Sequence, residues 1–395
     1  MPPNPKFYYY LYNTQTPVSR DDPSWQQPLP LSRHLTDKND DLSISHGEYF
    51  LAIRRFLEND HFNIITRALG RRLQKKLKPA DIYNIRVCLA KHGEFYHPAH
   101  LVVSVGQQSA DFVLNVAVSD IGIQALQEEY HSLKRLHDEF PHSFIPRVYS
   151  FGEIKAAGHR KIPLFLGDWL AGYHEFHISG DPTGDAANIL VWDGDANRAL
   201  LLADQQAEIY RQAARILTYY YNVESFEQIF AFHHAAGDFI VRVENSVVDL
   251  KLISVRRYAS LLRNQDNLEN GSPDVETILQ ALLLFFLGLS IRMRLDRIDG
   301  VGDIVWADRL AVAATLQGLF EGLSLKPQIP SLPDTIDRCF AYFLSLCSGE
   351  DIGNLCRSVV HAMDPRDPEA AFIRQNIDEH ITSLARSIEQ FFNPS

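Results

Sequence analysis

Apolar residues recur with two different periods along this chain, and the places where the period changes mark its elements. From Glu48 to Lys78, "EYFLAIRRFLENDHFNIITRALGRRLQKKLK", they fall three or four positions apart on both sides of a break near Asn59 and Asp60. That spacing predicts two amphipathic helices. Between Asp81 and Ser119 the pattern turns into the runs "IYNIRVCLA", "AHLVVSV" and "DFVLNVAVS", separated by turn-forming "KHGEFYHP" and "GQQSA". Three sequential strands joined by short loops predict an antiparallel meander. A helix follows from Gly122 to Phe140, with Leu126, Tyr130, Leu133 and Leu136 near one face, and then two further strands, "IPRVYSFGEI" and "KIPLFLGDWLAGY".

The flanks carry other signals. Residues 1 to about 45 are rich in Pro, Asn, Asp, Ser and Tyr without a period, which predicts an extended arm laid on the surface. After a polar turn region from Ser179 to Ala187 come the strand-like "NILVW", the turn "DGDAN", a helix from about Leu200 to Tyr221, and a shorter helix in "SFEQIFAFHHA". "DFIVRVENSVVDLKLISVRRY" then reads as a hairpin, and the pattern beyond it is almost all helical to Ser395. The longest apolar run, Ile278 to Ile291, is shorter than the roughly 20 residues that span a bilayer, so it predicts a buried core helix.

Composition narrows the classes. Hydrophobic residues make up 46% of the 395, enough for more than one sizeable core. The net charge of -11 argues against a nucleic-acid or membrane-surface partner. The cysteines Cys88, Cys339, Cys347 and Cys356 have neither metal-ligand spacing nor the density of a disulfide scaffold, so they read as reduced thiols of a cytoplasmic protein. The first residues lack a basic segment followed by an apolar one, and no signal peptide is expected.

Several local motifs carry a resemblance. "VLNVA" ends the third strand, "EYHSLKRL" lies in the following helix, "IPRVYSFGE" leads into the fourth strand, and "PLFLGDWLAGY" covers the fifth. With "AFHHAAGDFIV" and "LKLISVRRY" one hairpin apart, these segments resemble the protein-kinase-like fold in its aminoglycoside and choline phosphotransferase branch. The resemblance covers about Pro79 to Tyr258 and more weakly the helices to about Leu325. It implies an α+β, two-lobed fold with an antiparallel five-stranded N-lobe carrying one helix, a mostly helical C-lobe, and helical extensions at both ends. The implied divisions are an arm and helical extension (1–78), an N-lobe (79–178), a C-lobe (179–325) and a C-terminal helical elaboration (326–395).

The same resemblance places this chain's residues in the slots for ATP and magnesium. His233 stands where the catalytic aspartate is expected, Asp238 where a metal-binding asparagine is, and Ser254 where the second metal carboxylate is. Asn115 occupies the slot of the phosphate-binding lysine, and Glu129 that of its glutamate partner. Phosphoryl transfer in this fold rests on positioning and charge, so a missing lysine and a missing carboxylate weaken it directly. The loop "AKHGEFYHPAH" holds the single glycine Gly93 where a glycine-rich cradle is expected. A second register makes Asp238 the catalytic aspartate with Asp249 as metal ligand, but their spacing of 11 residues is short for a catalytic loop and a full hairpin.

Other clusters are read from the residues alone. His233, His234 and Asp238 have metal-ligand chemistry, although adjacent residues in extended chain point apart. "GYHEFHISGDPTGD" brings together His174, Glu175 and His177, either as contacts to a polar ligand or as a satisfied turn. At the end of the most apolar helix stand Arg292, Arg294, Asp296, Arg297 and Asp299, with Gly300 and Gly302 ending the helix. These charges read as an ion-pair network or as a site for a phosphate or carboxylate. Arg71, Arg72, Lys75, Lys76 and Lys78 form either a solvated helix end or a docking patch for an acidic partner.

Together the residues favour a pseudokinase-like regulator that binds a small molecule or protein partner without Mg-ATP phosphotransfer. The alternatives are an active small-molecule phosphotransferase rearranged around Asp238, and a metal-dependent hydrolase built on His233, His234 and Asp238.

Overall fold

Period-two burial organises the first half of the chain. In strands β2 (Ile82–Leu89), β3 (His97–Val105), β4 (Gln108–Val116) and β6 (Lys161–Asp168), the residues Ile85 and Val87, Leu101 and Val103, Phe112 and Leu114, and Ile162 and Leu164 are fully buried. With β5 (Val148–Lys155) these strands are joined antiparallel, as the alternation predicts. The computed structural model describes residues 4–30, 44–155, 160–180, 187–193, 197–230, 232, 238–260, 273–298 and 302–393. The chain divides into two compact units, Met1–Ala171 and Gly172–Ser395.

In the first unit β1 (Lys6–Tyr10) joins these strands in the sheet order β1-β2-β3-β4-β6-β5. Strand β1 corrects the expectation of an arm on the surface: it adds to the sheet edge in parallel with β2, Phe7 opposite Ile85. One face of the sheet packs on α1 (His46–Asn59) and α2 (Asn63–Leu73), through Tyr49, Phe50, Ile53, Ile65 and Leu69. The break between these helices lies at Asp60 to Phe62, where His61 and Phe62 take positive φ. Helix α1 starts on a capping box: Glu48 N donates to Ser45 Oγ at 3.1 Å, and Ser45 N donates to Glu48 Oε2 at 2.9 Å. The opposite face packs on α3 (Asp120–Glu139), where Tyr130 meets Phe151 and Phe165.

The second unit opens with a three-stranded sheet, β7 (Glu175–Gly180), β8 (Ala187–Asp193) and β9 (Asn197–Leu200). The stretch around His174 is therefore strand and not turn, because Phe176 and Ile178 alternate inward and pair with Val191 and Ile189. After α4 (Ala203–Tyr220), the expected short helix in "SFEQIFAFHHA" is instead β10 (Glu227–Phe230), paired with β13 (Arg257–Ser260) so that Ile229 lies opposite Tyr258. Between them stands the expected hairpin, β11 (Phe239–Glu244) and β12 (Val247–Leu252).

Helices α5 (Val275–Arg292), α6 (Leu310–Ser324), α7 (Ile336–Leu346), α8 (Gly349–His361) and α9 (Pro368–Phe392) complete it. Helix α5 is long and apolar enough to cross a membrane. Its residues Leu282, Phe286 and Leu287 are nonetheless fully buried, and Phe286 meets Phe340 of α7. The helix ends at Arg292, and the chain does not stop at a glycine cap as expected: it continues into a short hairpin, β14 (Leu295–Arg297) and β15 (Ile304–Trp306).

Helices α4 and α6 approach too closely for side chains between them. A Cβ on Gly318 would stand 2.0 Å from the carbonyl oxygen of Arg211, and one on Gly322 would stand 2.7 Å from that of Arg215. Gly288, inside α5, has nothing within 4 Å of the same position. In urea unfolding, Gly318→Ala should therefore cost about 2 kcal/mol or more through overpacking. Gly288→Ala should gain roughly 0.5–1 kcal/mol from helix propensity.

Candidate functional site

The hairpin β11–β12 is held on both edges, and this fixes the carboxylates it carries. On one edge the backbones of His174 and Val241 exchange hydrogen bonds, His174 N to Val241 O at 2.8 Å and Val241 N to His174 O at 2.9 Å. On the other edge the buried Gln212 of α4 donates from Nε2 to Val248 O at 2.6 Å and accepts from Leu250 N at 2.9 Å. One amide side chain thus satisfies two backbone groups of an edge strand that would otherwise be unpaired.

Asp238 precedes β11 and is almost fully buried. Its backbone carbonyl accepts from Ile253 N at 2.7 Å, and its carboxylate pairs with Arg256, Nη2 to Oδ1 at 2.9 Å. Ser254, also buried, lies one residue beyond that contact. Asp249 stands opposite Arg242 in the ladder, four positions along the strand from Asp238, which is about 14 Å at the usual strand rise. Asp249 has its own partners: Tyr173 Oη donates to it, Arg242 pairs at 3.3 Å and Lys251 at 3.1 Å. Burial acts to raise the Asp249 carboxyl, but Tyr173 and the two cations outweigh it and hold the group below the usual carboxylate range. The structure therefore does not bring Asp238 and Asp249 together.

In the first unit Asn115 is buried in β4, opposite Phe165 and on the face that meets α3. Glu129 of α3 is buried as well and accepts a hydrogen bond from Tyr96 Oη at 2.6 Å. Neither β3 nor β4 contains a lysine or arginine. His97, expected in a turn, begins β3; its ring is buried beside His92, which burial and the His92 charge answer by pushing its pKa down to about 4.

The remaining candidates separate. His174 acts through its backbone, while His177 is buried against Trp192 with ring centroids 4.2 Å apart and lies 4.0 Å from Glu175. Arg294 is buried over the Trp306 ring, donates to Ala307 O at 2.8 Å and pairs with Glu379 of α9 at 2.5 Å. Arg297 turns the other way and donates to Gly302 O. Asp296 points inward, accepting from its neighbour Arg297 N at 2.7 Å and from Ile178 N of β7. Its burial pushes the carboxyl up to about 7. His380 of α9 sits beside Ser290 at 3.2 Å, and burial with the Arg294 charge lowers it to about 4. His233, His234 and Asp299 lie outside the described residues.

Sequence reasoning passed over the partners. Arg256 was visible only as half of a basic pair after a β-branched run, and Tyr173, Gln212 and Glu379 carried no local signal. Among the described residues no group of three or more His, Cys, Asp or Glu side chains is arranged to hold a metal ion.

No protein-family model matches the chain, and no curated protein matches its sequence. Solved structures with a similar course are WaaP in complex with acyl carrier protein, at 10% identity over 83% of this chain and 96% of that one, TM-score 0.31. The Drosophila melanogaster PAN3 pseudokinase follows at 10% identity over 79% and 68%, TM-score 0.29. The Neurospora crassa PAN3 pseudokinase is 12% identical over 75% and 60%, TM-score 0.27. TM-scores this low do not establish a shared fold.

The carboxyl of Asp296 gives the second unit a pH signature of defined sign. Its folded pKa lies above its unfolded one, so the folded state binds more protons between about pH 4 and 7, and its contribution to stability falls as pH rises through that window. Asp296→Asn keeps the acceptor oxygen and removes the proton. In urea melts it should be more stable than the wild type at pH 8, by on the order of 2 kcal/mol, with the difference vanishing towards pH 4. His380 acts in the opposite sense, since its folded pKa is depressed and stability is lost as pH falls from about 6.5 to about 4.

Proposed function

We propose that this chain is a kinase-like domain that does not transfer phosphate from magnesium-ATP and acts by binding a ligand or a protein partner. The observation that carries this reading is the ion pair between Asp238 and Arg256, 2.9 Å apart with the carboxylate buried. A magnesium ion prefers anionic oxygens with free lone pairs, and a carboxylate already neutralised by a guanidinium in the interior is a poor ligand. Ser254 adds no second carboxylate. Asn115 offers no ammonium for the phosphates, and Glu129 is bonded to Tyr96. The residues at these positions do not fit a magnesium nucleotide. The order of elements in Ile82–Asp168, three antiparallel strands, a helix and two more strands, supports the kinase-like part of the reading.

Thermal melting of the full chain with ATP, ADP or GTP, each with and without magnesium or manganese, tests it. A ligand present at about 100 times its dissociation constant adds roughly 2.7 kcal/mol to the folded state. No metal-dependent rise of the midpoint is expected, and a magnesium-dependent rise with ATP overturns the proposal. The ion pair itself is measured by a double-mutant cycle between Asp238→Asn and Arg256→Gln. Each single change should destabilise by about 2–3 kcal/mol, with a coupling of about 1–3 kcal/mol, because either one strands a buried partner. A coupling near zero would remove the observation on which the proposal rests.

A further inference from the structure

The surface around α2 departs from the way charge is arranged on α1 and α3. On α1 and α3 charges are matched one turn apart: Arg54 with Glu58, Lys134 with Asp138, and Arg135 with Glu139. Residues 67–78, "RALGRRLQKKLK", instead carry six cations and no acid. Arg67, Arg71, Lys75 and Lys76 are exposed, and Arg67, Arg71 and Lys76 make no ion pair among the described residues. Like charges one turn apart, such as Arg67 and Arg71, destabilise a helix.

Folding does not require this pattern. The helix macrodipole accounts for Arg71 and Arg72 in the last turn. It does not account for Arg67 in the middle, or for the lysines beyond Gln74, which closes the helix in the left-handed conformation. The apolar positions Ile65, Ala68 and Leu69 already face the core, so the cations are not needed to orient the helix.

The patch extends past the helix. Burial and the neighbouring charges of Arg147 and Arg71 hold His137 below its ordinary range. Asp168, with its side chain largely covered, is tied up by Tyr149 Oη at 2.6 Å and by Arg72 at 4.0 Å, leaving the rim cationic. The contrast with the rest of the chain is large: residues 1–171 hold 20 Lys and Arg against 18 Asp and Glu, and residues 172–395 hold 18 against 31.

We propose that the exposed cations of Arg67 to Lys78, with Arg147, form a docking surface for a short carboxylate-rich segment of a partner protein. Two features select this occupant. A long polyanion, such as a nucleic acid or an anionic bilayer, would be repelled by the net charge of -11. A short acidic segment meets only the charges within a Debye length of about 8 Å. In addition, residues 61–80 contribute no exposed large hydrophobic side chain that could enter a bilayer or stack on a base. The proposal is independent of the kinase-like reading, since it uses no residue of the nucleotide or metal slots.

Fluorescence anisotropy with the full chain decides it. The probe is a labelled peptide of glutamate and alanine with one glutamate for each cation of the patch. The comparisons are its glutamine counterpart, a single-stranded oligonucleotide of equal charge, and vesicles of phosphatidylserine with phosphatidylcholine. The glutamate peptide should bind, the glutamine peptide should not, and binding should weaken as salt approaches about 0.15 M. In the variant Arg67→Gln/Arg71→Gln/Lys76→Gln the dissociation constant should rise roughly tenfold or more without a fall in the melting midpoint. Absence of peptide binding, equal binding by the variant, or tighter binding of the oligonucleotide or vesicles each overturns the proposal. So does salt-sensitive self-association in sedimentation that the same variant abolishes, which would make a second copy the occupant.

Discussion

An ionised group removed from water must be paired or must give up its charge, and the interior of Gly172–Ser395 is arranged around that constraint. Asp238 is paired with Arg256, which reaches it from the segment after β12. Arg294 is paired with Glu379 and caps the Trp306 ring. Asp296 has two backbone donors and no cation, and it answers burial by holding its proton. Lys326, enclosed at the end of α4, donates to the carbonyls of Tyr219 and Tyr221 and so closes a helix terminus that no glycine closes.

These pairings hold the hairpin's carboxylates in place. The hairpin β11–β12 is pinned by Gln212 on one edge and by the backbone of His174 on the other, so Asp238 and Asp249 are held at separate stations. Each carboxylate has acquired cationic partners from its own surroundings. A site for a divalent ion needs the reverse, several acidic oxygens converging with their lone pairs unspent. The basic face of α2 shows the complementary situation, in which Arg67, Arg71 and Lys76 are exposed and make no ion pair among the described residues.

The elements read best from sequence are those with long, clean periods. The meander of β2, β3 and β4 alternates over eight or nine residues per strand, and α3 keeps one apolar face over 20. Short segments failed where a distant partner decided their state. "SFEQIF" has apolar residues compatible with either period, and it is a strand because "RYAS" lies beside it. Lys6–Tyr10 gave no helical or strand signal distinct from its surroundings, yet it pairs with β2 across more than 70 residues of chain. At the candidate site the carboxylates were visible in advance and their partners were not, since Arg256, Tyr173 and Glu379 are ordinary residues until the backbone brings them within reach.

Local pattern therefore determined, from the sequence alone, where strands and helices of sufficient length form and which faces they bury. These are properties of single positions and of short periods, which neighbouring residues already encode. Tertiary structure decided which charge meets which: Arg256 with Asp238, Arg294 with Glu379, Tyr96 with Glu129. Such pairs depend on the distance between side chains far apart in the chain or on opposite sides of a turn, and that distance is set only when the hydrophobic faces close and the backbone register is fixed.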